Sequence, residues 1–442
     1  MTQALDQAIA EARTRLGAGQ AREAFESLRG LLRFPAPELA DRSAFVAAFG
    51  AFAEVARAIA GPEFGDTLAA AAADPDDAHA LYDAGYKLYE QSLHGIAATA
   101  LARANRIAPG QPGIVSELVA ALEAMMHYGP AAIITAASGL ADSDPLIGYL
   151  DGFCRLMAGD PSVAPKRIEQ LAGATDPNIV HMRESLRGMT LRASALQAAG
   201  VELGEHALSA WHAVINGSML LTESPHGWDE PMRGRYAYLA DSAALMRSGI
   251  DRVVQLLATR GMPSTVVAAP DRASGWLAEA FARSLSQPLV PFAEGVEPGL
   301  VVAWNLDEVG DVAFLQTYRH HRPGDILFAH ISDWVKPFPY APDITTLLAQ
   351  SVTHPFLGGA LRLDPQTQEV APSAPDARPD AALVDEILSA APEESQTPFD
   401  LVLTIERALR DVPSDHALGI RRTRGSRLRQ RAGSPVPSSR FP

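Results

Sequence analysis

AHALYDAGYKLYEQSLHGIAATALARANRIAP, residues 78–109, decides how the first half of the chain reads. It divides into two short helices joined by a turn and closed by a proline. Leu81 and Gly85 fall on the first helix, and Ala97, Leu101 and Ala104 on the second. Small residues at these positions let two helices approach closely, while Tyr82, Leu88, Tyr89 and Leu93 fill the space around them. A single hairpin of this kind cannot bury its own apolar face, so neighbouring hairpins are required.

The spacing resembles the tetratricopeptide repeat, a helical-hairpin unit of about 34 residues. The small/large alternation and the closing Pro109 carry the likeness, and Leu81 stands where that family places its first Trp. The resemblance implies an array with a concave face that grips a peptide or a partner protein. Exposed aromatic and amide groups on such helices suit that task, which singles out Tyr82, Tyr86, Tyr89, Arg103 and Asn105 as candidate partner-binding residues.

Upstream, Leu5, Ile9, Ala12 and Leu16 repeat at helical spacing. Ala24, Leu28 and Leu31 face inward on the next helix, and Pro35 and Pro37 end it. Residues 40–75 give a divergent pair. Residues 113–145 give another hairpin, with Pro130 at a helix start where a missing N–H is tolerated. Residues 146–175 form a further pair, and a helix reaching Gly200 caps the array. The repeat domain is thus expected over residues 1–200.

Past residue 205 the texture changes to short β-branched runs: TVVAA (265–269), PLVPF (288–292), LVVAW (300–304) and DILFAHI (325–331), with helical segments between them. Continuous apolar strands alternating with helices predict a parallel, helix-covered sheet over residues 205–365, with GALRLD (359–364) as a final strand. The fold class is therefore an all-α helical-hairpin array followed by a smaller α/β domain. Residues 366–380 read as a linker, and 381–412 as two short helices packing on the body. Residues 413–442 read as a basic, disordered tail.

Hydrophobic residues make up 47% of the 442, enough for a sizeable core, and the net charge of −15 argues against the whole molecule binding nucleic acid. The tail is the exception. After Asp415 the chain has no acid but seven arginines, suited to phosphates or an acidic partner, though a solubilising role needs less. The only lysines are Lys87, Lys166 and Lys336, which with abundant Ala, Gly and Pro suits a high-GC bacterial genome. A single cysteine, Cys154, within an apolar helix, fits a reducing cytoplasm and a buried thiol. The N-terminus lacks the order of a signal peptide, and no apolar run is expected to span a bilayer; the expectation is a soluble cytoplasmic protein.

Candidate chemistry gathers in the second half. The loop after the first apolar run carries Asp271, Arg272, Ser274 and Gly275 at the carboxyl end of a strand. A helix starting there offers N–H groups to an anion and Arg272 a fork for phosphate, while Asp271 or Ser274 serves equally as an ordinary cap. The run LVVAW leads into Asp307, Glu308 and Asp311, which could hold Mg²⁺. These two loops faintly resemble a type I phosphoribosyltransferase, in which two adjacent acids precede a small Thr/Gly-rich phosphate loop. Here the acids are displaced and VAFLQTY follows Asp311 instead. The resemblance implies an alternative to an interaction protein: a transferase-like enzyme or sensor binding a nucleotide or phosphosugar, with Mg²⁺ at Asp307 and Glu308. His320, His321, His330 and His354 with Asp325 and Asp333 lack a zinc spacing. His226, Trp228, Asp229, Arg233 and Arg235 form a polar connecting loop that could line a groove. No nucleophile elbow, Walker loop, dinucleotide fingerprint or kinase signature is present.

Overall fold

The computed structural model describes residues 3–225, 232–259, 261–363, 370–395 and 397–438. The chain divides into two units, Met1–Leu186 and Arg187–Pro442.

The first unit is a stack of helix pairs. α1 (Gln3–Gly17) pairs with α2 (Ala21–Leu32), α3 (Arg42–Ala60) with α4 (Pro62–Ala73), and α5 (Ala78–Glu90) with α6 (His94–Ile107). α7 (Pro112–Ala124) pairs with α8 (Tyr128–Ala137), and α9 (Pro145–Met157) with α10 (Ala164–Gln170). Each pair packs on the next, and the first helices of successive pairs also touch, α5 on α7 and α7 on α9. This is the stacking that lets hairpins share one continuous core. Starts are set by ordinary chemistry: Asp41, Asp77 and Asp144 accept backbone N–H bonds as caps, and Pro62, Pro112 and Pro145 occupy first turns.

Gly85 has the packing role expected of it. A Cβ there would lie 2.4 Å from Leu101 Cγ, so only glycine lets α5 and α6 meet. On α2 the inward residues are Ala24, Leu28 and Leu32, one position beyond the expected Leu31. One expectation about membranes needs correction. Among the described residues one helix, α3, is long and apolar enough to cross a bilayer, with half of that stretch buried in the unit. It is apolar on several sides because α1, α2 and α4 all pack on it, burying Phe45, Phe49 and Phe52 among others.

The boundary between the units falls inside α11 (Pro177–Ala198). In the second unit come α12 (Leu208–Asn216), β1 (Met219–Leu220), β2 (Tyr236–Ala240), α13 (Ala243–Ala258), β3 (Val266–Ala268), α14 (Arg272–Leu285), β4 (Leu289–Pro291) and β5 (Leu300–Asn305). These are followed by α15 (Val312–Tyr318), β6 (Ile326–Ser332) and β7 (Ile344–Thr353). The sheet runs β1-β7-β6-β5-β3-β4, with β2 also on β7, and every pairing is parallel. β5 is buried along its whole length, as a strand covered on both faces must be. Val267, Val301, Leu327, Phe314 and Tyr318 form one core cluster, while Phe281 of α14 meets Phe328 of β6 edge-on at 5.0 Å.

GALRLD is not the last strand of this sheet. β8 (Leu361–Leu363) pairs antiparallel with β9 (Val370–Pro372) as a separate ribbon, and the last strand of the sheet in chain order is the ten-residue β7, which carries β1 and β2 on its outer side. β9 also lies within the stretch expected as linker. α16 (Asp380–Ser389) and α17 (Phe399–Ala408) follow, α16 packing on α13 and α14.

The disordered-tail expectation is corrected over residues 413–438. Arg427 and Asp343 form a fully buried ion pair, Nη2 to Oδ2, at 2.6 Å. Arg427 also donates to the carbonyls of Tyr318 and His320 at 3.2 and 3.0 Å. Ala341 N donates to Leu428 O, Arg431 N to Asn216 Oδ1, and Arg235 to Val436 O. Composition misleads here because Arg421, Arg422 and Arg427 bond carbonyls and the buried acids Glu406 and Asp343 rather than water. Asp343 and the Tyr318 and His320 carbonyls lie far from Arg427 in sequence.

Candidate functional site

Two regions collect the chemistry-bearing residues, one in each unit. In the first unit, Tyr82 and Tyr86 stand one turn apart on α5 and their rings stack at 6.4 Å between centroids. Tyr86 is 43% exposed. Tyr82 leans toward the start of α7, since a Cβ on Gly113 would lie 3.9 Å from its ring. Tyr89 packs on His94 at 4.8 Å. Burial, then the carboxylate of Glu117 on α7, pushes the Tyr82 phenol up. Burial followed by Glu123 and Glu117 does the same to Tyr89. Burial raises Glu117 itself. The face is thus aromatic and acidic. Glu117 and Glu123 escaped the sequence reading. Their signal was the α5–α7 alignment that repeat stacking produces.

Arg103 does not belong to this face. It is buried, its guanidinium 4.8 Å over the Phe45 ring, with Nε donating to Pro75 O at 2.6 Å and Nη2 meeting Asp76 at 3.2 Å. It ties α6 to the preceding pairs, because a buried guanidinium needs carbonyl and carboxylate partners. Asn105 is half-buried on α6.

In the second unit, the sheet order reverses between β3 and β5, and ligands of open parallel sheets bind at such a reversal. The loop carrying Asp271 to Gly275 lies there as expected, but its donors are committed. Asp271 Oδ1 accepts Ser274 N at 2.8 Å, capping α14. Ser274 is fully buried, and its Oγ accepts Trp304 N at 2.8 Å, bridging the two loops directly. Arg272 pairs with Asp380 at 2.8 Å and covers the Trp276 ring at 4.8 Å. Gly275 has open space where a Cβ would stand.

Behind this bridge lies a buried polar group. Asp241, just after β2, accepts Trp304 Nε1 at 2.7 Å and His330 Nε2 at 3.3 Å. Burial works against its charge, yet the His330 imidazole, the Trp304 indole and His354 hold its carboxyl below the usual range. His354 accepts Phe356 N on Nδ1 at 3.1 Å and packs on Trp304 and Trp276. Burial pushes its imidazole down to about 4. Asp241, His330 and His354 are each 5% exposed or less. A Cβ on Gly249 would come within 2.7 Å of Thr346 Oγ1 and 3.1 Å of His330 Nδ1, so α13 closes the group from that side. Such a network holds the sheet edge together and offers no opening to a substrate. The sequence reading missed Asp241, whose only signal is the strand-like YAYLA before it.

The Mg²⁺ expectation for Asp307 and Glu308 is not met by a converging donor set. Asp307 sits in a 3₁₀ turn after β5, and burial, then Asp333 and Glu308, pushes it up to about 6. Among the described residues no group of three or more His, Cys, Asp or Glu is placed to hold a metal ion. The histidines scatter: His320 bonds Ser426, His321 faces Asp343 at 3.6 Å, and His330 and His354 join the Asp241 group. His226, Trp228 and Asp229 lie outside the described residues, while Arg233 pairs with Glu205 and Arg235 stacks over Trp334. Cys154 is buried, and burial pushes its thiol up.

A scan against models of protein families, a search among curated proteins and a search among solved structures each returned no match.

Proposed function

We propose that this is an interaction protein whose first unit is a tetratricopeptide-like array docking an extended, basic peptide segment of a partner, with the α/β unit as a second recognition module. The observation that carries the reading is the stacked Tyr82–Tyr86 pair on α5, with α7 supplying Glu117 within electrostatic reach. Tyrosines supply large, rigid contact area at low entropic cost, and half-buried carboxylates favour lysine or arginine over acidic residues. Acidic residues also outnumber basic ones across residues 1–186, which steers a cationic segment toward the array.

Fluorescence anisotropy with the full chain tests this. The probes are a labelled short peptide of alternating arginine and leucine and its glutamate-for-arginine counterpart. The basic peptide is expected to bind, more weakly as salt rises. Tyr86→Ala, an exposed change that leaves the core intact, should weaken it by about 1 kcal/mol or more, roughly five- to tenfold. Equal affinity for both peptides, or no effect of Tyr86→Ala, would sink the proposal.

A further inference from the structure

The second unit holds a cavity of about 420 Å³ between the end of α11, the start of α12 and α17. Val201, Ala207, Ala210, Pro398 and Leu401 give it an apolar wall, with the polar side chains of His206, Ser209, Thr397 and Thr404 beside them. One buried charge lines it. Glu223 is 9% exposed, and its Oε1 accepts both Ser209 N and Ser209 Oγ, at 2.9 and 2.6 Å, capping α12. Among the described residues these are the only hydrogen bonds to that carboxylate, leaving Oε2 without one. Glu202, at the exposed rim, adds a second negative charge.

A carboxylate drawn out of water is costly unless it is paired and fully hydrogen-bonded. One oxygen is satisfied by the helix N-terminus; the other keeps accessible surface, and Glu223 lines the cavity, so a donor entering there can reach it. The size lies in the range of small-molecule sites, and apolar walls with a few placed polar groups are the usual make-up of one. Burial raises the Glu223 carboxyl, opposed by Ser209 and, least, by Arg235, so the group is held short of full compensation.

We infer that this cavity binds a small organic cation, a primary ammonium on an apolar body, with the ammonium on Glu223 and the body against Leu401 and Val201. The site lies wholly in the α/β unit and stands or falls independently of peptide docking on the array.

Isothermal titration of the full chain with three isosteric probes tests it: phenethylamine, 2-phenylethanol and phenylacetate. Phenethylamine is expected to bind, the alcohol at least tenfold more weakly, and the anion not at all. Glu223→Gln keeps an acceptor for Ser209 while removing the charge, and should cut phenethylamine affinity at least tenfold. Leu401→Trp fills the cavity without touching Glu223 and should abolish binding; it keeps the test decisive if Glu223→Gln fails to fold. Absence of phenethylamine binding, equal binding of the three probes, or full binding by Leu401→Trp overturns the assignment.

Discussion

Gly85 shows how one residue sets an interhelical distance. Its missing Cβ is the space that Leu101 fills, and Leu101 is itself fully buried, with its branch point rather than a flexible end at the contact. Gly85→Ala should therefore destabilise the first unit by about 1–3 kcal/mol despite alanine's better helix propensity. Urea denaturation followed by far-UV circular dichroism reads that loss, and an unchanged or raised midpoint would refute the packing account. This contact was legible in the sequence because small and large residues recur at repeat spacing. Arg103 was not. Its charge suggested exposure, whereas its partners are Phe45, Asp76 and the Pro75 carbonyl, and an aromatic face or a carbonyl leaves no mark in local periodicity. Asp241 was hidden for the same reason: its partners Trp304 and His330 come from other strands.

At the scale of elements, helices and buried strands with continuous apolar runs were readable, since β3, β4, β5 and β6 each fall within a run of Val, Leu or Ile. β7 was missed although it is the longest strand, because Thr345, Thr346, Gln350 and Ser351 interrupt its apolar character. The order of the sheet explains why those residues are allowed there: Thr345 finds Ser332 Oγ on β6 at 3.1 Å, a partner visible only once the strands are side by side. The segment around Arg427 is the opposite error, a structured element with a disordered composition. Arg427→Ala should cost about 3–5 kcal/mol, since it strands the buried Asp343 without its cation. Guanidinium denaturation checks this. A cost under 1 kcal/mol would place the segment outside the cooperative core of the second unit.

Over the whole molecule, pH provides a test that reports on one unit alone. All five tryptophans, Trp211, Trp228, Trp276, Trp304 and Trp334, follow residue 186, so indole fluorescence follows the second unit. Burial pushes His212 down to about 3 and His354 to about 4, and it lowers His321 as well. An imidazole in the unfolded chain titrates near 6.5. Below that value the unfolded chain holds protons that the folded one refuses, so stability is full above about pH 6.5 and is lost as pH falls toward 4. The slope is at most about 1.4 kcal/mol per pH unit per histidine. Asp307 acts with the opposite sign, because its raised carboxyl favours the folded state only below about 6, and burial raises Glu223, Asp271 and Asp343 as well; the lowered carboxyls of Asp241, Asp376 and Asp380 side with the three imidazoles, and a net loss on acidification is expected. Urea midpoints by tryptophan emission at pH 7 and pH 5 should therefore differ, the lower pH being weaker, and a midpoint unchanged across that window would show these imidazoles charged in the folded chain. The buried Arg427–Asp343 pair has a temporal corollary as well. Asp343 leaves the ribosome before its counter-ion does, and so do the Tyr318 and His320 carbonyls. A nascent chain stalled between the two can hold a sheet but not a finished one, which makes the interval of translation from 344 to 427 the period when a chaperone has most to protect.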